Sequence, residues 1–187
     1  MLSDEYRAGK AEGGFFRQPG ARVAQALAET SLTPAAAFSD LNAWQALLDR
    51  HQDLFDGMLP GSRIGLLPRS CTSVLPGKRI AGLGGAEFNL PEGKMLAWEA
   101  QEDRMQARFR PCSSFSDAHA DLLLVADDVA LAAIHDNLDG DTLSTMKRMI
   151  RTGNILFFVM KSKYELQDAG YEDFLDSLGL AFLGACR

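Results

Sequence analysis

The chain is predicted to be an α+β protein, and three observations carry that prediction. Apolar runs in its last third, Leu122–Ala126, Ile155–Met160 and Leu180–Ala185, do not alternate with polar residues. Each reads as a strand buried on both faces. Helical spacing fills the intervals between them, so the last third is layered α/β. The middle instead alternates: Met105, Ala107 and Phe109 against Gln106, Arg108 and Arg110. That is the pattern of an antiparallel strand with one solvated face. Met95–Ala100 precedes it, with Glu102-Asp103 between, and the whole reads as a hairpin.

The remaining elements follow in order. Residues 1–20 are polar and rich in glycine, the composition of a flexible arm, and 21–187 are expected to form a single globular α+β domain. Phe15 and Phe16 interrupt that arm and are candidate partner-binding residues. Thr33-Pro34 is a helix start signal. Behind it Phe38, Leu41, Trp44, Leu47, Leu48, Leu54 and Phe55 recur every three or four positions, predicting one helical face to about Asp56. Leu59-Pro60-Gly61-Ser62-Arg63-Ile64-Gly65 is echoed by Leu75-Pro76-Gly77-Lys78-Arg79-Ile80-Ala81. Both read as a Pro-Gly turn feeding a strand that begins with a basic residue. Further on, Asp128 and Asp141 or Thr142 are expected caps of two helices, the second ended by Gly153. Lys163–Leu178 is predicted to be helical and broken at Gly170.

Composition restricts the function classes. The chain has 187 residues, 47% hydrophobic and 24% charged, with a formal net charge of −6. A domain of that size buries enough apolar surface to fold without a disulfide or a metal. Net negative charge argues against general affinity for nucleic acid or anionic membrane. Ser62–Arg110 is the exception, with eight basic side chains against five acidic ones. Arg63, Lys78 and Arg79 are therefore candidates for a small anion-binding edge, set against the ordinary role of charges that guard strand ends. Three widely spaced cysteines, Cys71, Cys112 and Cys186, suit a reducing compartment rather than a disulfide framework. The first residues include Asp4 and Glu5 and no apolar core of a signal peptide. A cytoplasmic protein is expected.

The densest reactive chemistry lies at 111–121. Asp117, His119 and Asp121 are spaced i, i+2, i+4. On an extended strand all three would share a face, as a metal site or a histidine–carboxylate pair needs; on a helix His119 would point away from the other two. Cys112 is a nucleophile candidate by residue type, with His119 as its base. The motifs that would strengthen an enzyme reading are incomplete. Gly82-Leu83-Gly84-Gly85 has Glu87 where a dinucleotide fingerprint needs glycine. Asp136–Asp141, set on a calcium loop, puts His135 and Met146 at the two ligand positions that should be acidic. No cofactor and no metal site is expected. The leading expectation is a small cytoplasmic binding or regulatory module whose partner is another protein, since segregated charge orients protein association. The alternative is a small enzyme using Cys112 or Asp117/His119/Asp121 on an anionic substrate. The sequence sets neither the oligomeric state nor the strand order.

Overall fold

The structure is a computed structural model, and it describes residues 38, 40–74 and 87–180. All of them lie in the larger of two compact units, Leu32–Arg187; the smaller, Met1–Ser31, falls outside the described residues. The predicted helix start at Thr33-Pro34, the second Pro-Gly unit at 75–81 and the run at 181–185 also lie outside them.

The elements are α1 (Leu41–Arg50), β1 (Arg63–Pro68), β2 (Lys94–Ala100), β3 (Met105–Pro111), β4 (Leu122–Ala126), α2 (Asp128–His135), α3 (Thr142–Arg151), β5 (Ile155–Val159), α4 (Lys163–Asp168) and α5 (Glu172–Ser177). The five strands form one mixed sheet in the order β3-β2-β1-β4-β5. β2 pairs antiparallel with β1 and with β3, β1 pairs parallel with β4, and β4 pairs antiparallel with β5. The chain is an α+β fold.

Local chemistry sets the helix starts. Asp40, Asp127 and Asp141 each accept a hydrogen bond from the backbone N–H three residues on, at 3.0, 2.9 and 3.2 Å. These bonds satisfy donors that the first helical turn leaves orphaned. The cap of α2 is thus Asp127 rather than Asp128, because Asp127 keeps the extended backbone of a capping residue. Ser162 and Glu165 form a reciprocal capping box at α4. The predicted long helix to Asp56 stops at Arg50, and a single 3-10 turn, Gln52–Leu54, continues its apolar spacing. Gly170 separates α4 from α5 with φ +76°. A Cβ there would lie 1.8 Å from the carbonyl oxygen of Gly57, so only glycine allows this close backbone approach.

Strand alternation divides the core in two. Ile64, Leu66, Leu96, Trp98, Leu122 and Leu124 face one way and are covered by buried residues of all five helices. Trp98 is the hub, 6.0 Å from Trp44, 6.5 Å from Phe55 and 6.1 Å from Phe174 between ring centroids. Leu67, Met95, Ala97, Leu123, Val125 and Phe158 face the other way. Among the described residues that second face is covered by loops, which contribute Val74, Leu90, Cys112, Phe115, Ala118 and Ala120. β4 is buried throughout, as its composition predicts. β5 is not buried on both faces. It is an edge strand with three partly exposed residues, and its apolar run reflects packing from the two cores rather than a central position.

Candidate functional site

One cluster of charged residues on the loop-covered face lies where β1 and β4 begin; a separate pair, Arg69 with Asp127, lies where they end. Arg63 opens β1 directly opposite Glu99 of β2. Its guanidinium donates to Glu99 Oε1 at 3.2 Å and to the carbonyl oxygen of His119 at 2.6 Å. Arg110 of β3 donates to the other Glu99 oxygen. Glu99 is therefore held between two arginines and is buried. Burial pushes its carboxyl pKa up, but the bonds and charges of Arg110 and Arg63 outweigh that and hold it below the usual value.

Asp121, just before β4, is buried as well. Its Oδ2 accepts from the Arg63 backbone N–H at 2.9 Å and from the Tyr171 hydroxyl at 2.7 Å, and its Oδ1 lies 2.9 Å from Lys161 Nζ. Its own backbone N–H donates to the Arg63 carbonyl at 2.8 Å. Burial is the main cause pushing the Tyr171 hydroxyl pKa far above its ordinary value, with the Asp121 carboxylate adding to it. Tyr171 is thus a neutral donor at all physiological pH. Arg63, Arg110 and Lys161 against Glu99 and Asp121 leave the cluster net positive, and Arg108 stands exposed beside it on the same face of β3.

The fold brings Arg63 to two candidates that the sequence places more than fifty residues away. Arg63 meets both His119 and Asp121. It does not assemble the i, i+2, i+4 triplet as one site. Residues 117–119 lie outside any strand, and His119 has φ +43°. Asp117 accepts from the N–H and hydroxyl of Ser113, at 2.9 and 3.0 Å, which closes its own loop. Among the described residues no group of three or more histidine, cysteine or acidic side chains could hold a metal ion. Cys112 is buried, and burial pushes its thiol up to about 11. A thiol with that value is protonated at neutral pH and is a poor nucleophile. Lys78, Arg79, Phe15 and Phe16 lie outside the described residues.

Sequence reasoning missed Glu99, Arg110, Lys161 and Tyr171. Arg110 carried a signal, a charged residue in an alternating strand on the face that the pattern marks as polar. Glu99 carried less, since β2 is buried from Met95 to Ala100 and Glu99 shares its face with Met95 and Ala97. Lys161 and Tyr171 carried none: the antiparallel pairing of β5 with β4 brings Lys161 to Asp121, and the packing of the last helix brings Tyr171.

What the arrangement can do follows from its valences. Asp121 and Glu99 have their acceptor oxygens engaged by donors of the chain itself. What turns outward is donor chemistry: the exposed Arg108, whose Nε and Nη2 donate to Gln106 Oε1 on the same strand, and the partly exposed Arg110, which also holds Glu99. Guanidinium donors of this kind can pair with carboxylates or other anions. No protein-family model matches this chain, and no curated protein does. A solved structure described as "UbiJ-SCP2 Ubiquinone synthesis protein" is 14% identical, with a TM-score of 0.35, over 80% of this chain and 95% of that one.

Proposed function

We propose that this chain is a cytoplasmic binding module whose partner is another protein presenting acidic groups. One observation carries the reading. The carboxylates that could serve as bases are filled by internal donors, the candidate thiol is buried and protonated, and the groups left outward on the same face are arginines. A site built this way recognises; it does not transfer protons. Cys71 and Cys112 are free thiols, which supports a reducing compartment. Among the described residues no helix is long and apolar enough to cross a membrane. Phe15 and Phe16 form a second contact element in this proposal, as aromatic anchors.

The test is affinity purification of the full chain against its Arg108→Glu variant, at low and at raised salt. A protein partner that is lost in the variant and weakened by salt supports the reading. Equal recovery of every partner by both proteins overturns it. So does a small molecule, found by native mass spectrometry, that remains bound to both.

A further inference from the structure

β3 is an edge strand, and among the described residues only half of its free margin is closed. Backbone groups of an edge strand alternate, one residue toward its neighbour and the next outward. The Cys112 N–H donates to Gly93 at the end of this hairpin, so Gln106, Arg108 and Arg110 bond inward to β2. Met105, Ala107, Phe109 and Pro111 then face outward. Gln45 of α1 seals the first part. Its side-chain amide donates to the Met105 carbonyl at 3.0 Å and accepts from the Ala107 N–H at 2.9 Å. That is the hydrogen-bond pair a neighbouring strand's peptide group would make. Gln52 adds a longer bond from the Met105 N–H at 3.4 Å.

The seal ends there. Among the described residues nothing pairs with the Ala107 carbonyl or with the N–H and C=O of Phe109. The Phe109 side chain is 40% exposed. Pro111 has no N–H to offer, so the open margin is short and bounded at both ends. It is bounded by charge too. Arg108 and Arg110 stand on one face of the strand and Phe109 on the other, and β3 carries no acidic residue.

We propose that the outward margin of β3 from Ala107 to Pro111 accepts an extended acidic segment of the partner protein as a sixth strand. The inference rests on the protein-binding reading above and names its surface. Main-chain bonds to Phe109 would hold the segment. Alternation would place its acidic side chains beside Arg108 and Arg110 and its apolar ones beside Phe109.

The probe is an eight-residue peptide of alternating Glu and Val, with a Lys/Val peptide and a thymidine oligonucleotide of equal charge as controls. The readout is amide hydrogen exchange at Phe109 in the full chain. The Glu/Val peptide is expected to slow exchange at Phe109 by about tenfold or more while the controls do not. Phe109→Pro removes the outward N–H without removing a bond to β2, and Arg108→Glu reverses one charge. Each is expected to weaken the peptide by about tenfold in affinity, the equivalent of one good contact. Titration of a fluorescently labelled Glu/Val peptide reads this, because Phe109→Pro has no amide at that position. Arg108→Glu serves alone if Phe109→Pro does not fold. Three results overturn the proposal: no binding of the Glu/Val peptide, binding that leaves Phe109 exchange unchanged, and equal protection by either control. If a purified partner is lost in Arg108→Glu but cross-links away from β3, this inference fails and the protein-binding reading survives.

Discussion

The two faces of the sheet are built by different rules. On the helix-covered face, Trp98 packs against Trp44, Phe55 and Phe174, and buried residues of all five helices close over it. Stability there is hydrophobic burial, which is non-directional and involves no titrating group. The loop-covered face has its own apolar patch, with Phe115 5.4 Å from Phe158 and 4.9 Å from Phe88 between ring centroids. It ends, however, in the Arg63–Glu99–Arg110 and Asp121 cluster. There each contact depends on a particular partner in a particular protonation state. The contrast teaches where to look for function. A face closed by helices has little left to offer a ligand, whereas a face closed by loops and charges keeps polar groups at its rim.

Three substitutions and a change of pH test this contrast, and their effects differ in size. Phe174→Ala, on the helix face, removes a wholly buried ring and is expected to cost about 3–5 kcal/mol. Urea unfolding at several pH values should show the same loss at each. Asp121→Ala leaves the Tyr171 hydroxyl, the Arg63 N–H and Lys161 without their acceptor, and about 3 kcal/mol should go. A loss below about 1 kcal/mol by the same method would mean that solvent replaces those bonds and that the cluster is not a true core.

Gly65→Ala tests how tightly the loop face is packed. A Cβ there would stand 2.6 Å from Leu123 Cδ2 and 3.2 Å from Met95 Sδ. Both are ends of flexible side chains, so a loss of about 1–3 kcal/mol is expected; thermal unfolding measures it. An unchanged midpoint would show that this face has slack.

The smallest effects are those of pH, and their signs differ. Glu99 has a lowered carboxyl pKa in the folded state, so its contribution is present above its ordinary value of 4.5 and is lost as pH falls below that. Glu99→Gln should flatten the acid limb of the stability curve. Cys112 is raised from 9.0 to about 11, so its contribution is full below pH 9 and is lost between 9 and 11. Alkylation of the native protein at pH 8 should spare Cys112. Rapid native modification there would contradict its burial.

Much of the fold was legible in the sequence, and for local reasons. The hairpin at 95–110 followed from two-residue alternation. β4 followed from an unbroken apolar run, and the break at Gly170 from a glycine inside helical spacing. These signals live within one element, where period and capping chemistry act over a few residues. The edge position of β5 was not legible, because an apolar run looks the same whether one strand or two lie beside it. Nor was the loop geometry at 117–119, where the hydrogen bonds of Asp117 come from Ser113.

Composition and local pattern therefore establish the class of the protein, most of its strands and helices, and its basic middle. What those basic residues meet depends on the completed fold. Arg63 and Asp121 are 58 positions apart, and Asp121 and Tyr171 are 50 apart. Their contact exists only because β1 lies parallel to β4 and the last helices pack back over the sheet. Likewise, no local rule announces that Gly57 and Gly170 touch or that Gln45 seals half of β3. Hydrogen bonds and close packing act over a few ångströms of space. Only the completed fold brings residues so distant along the chain within that range.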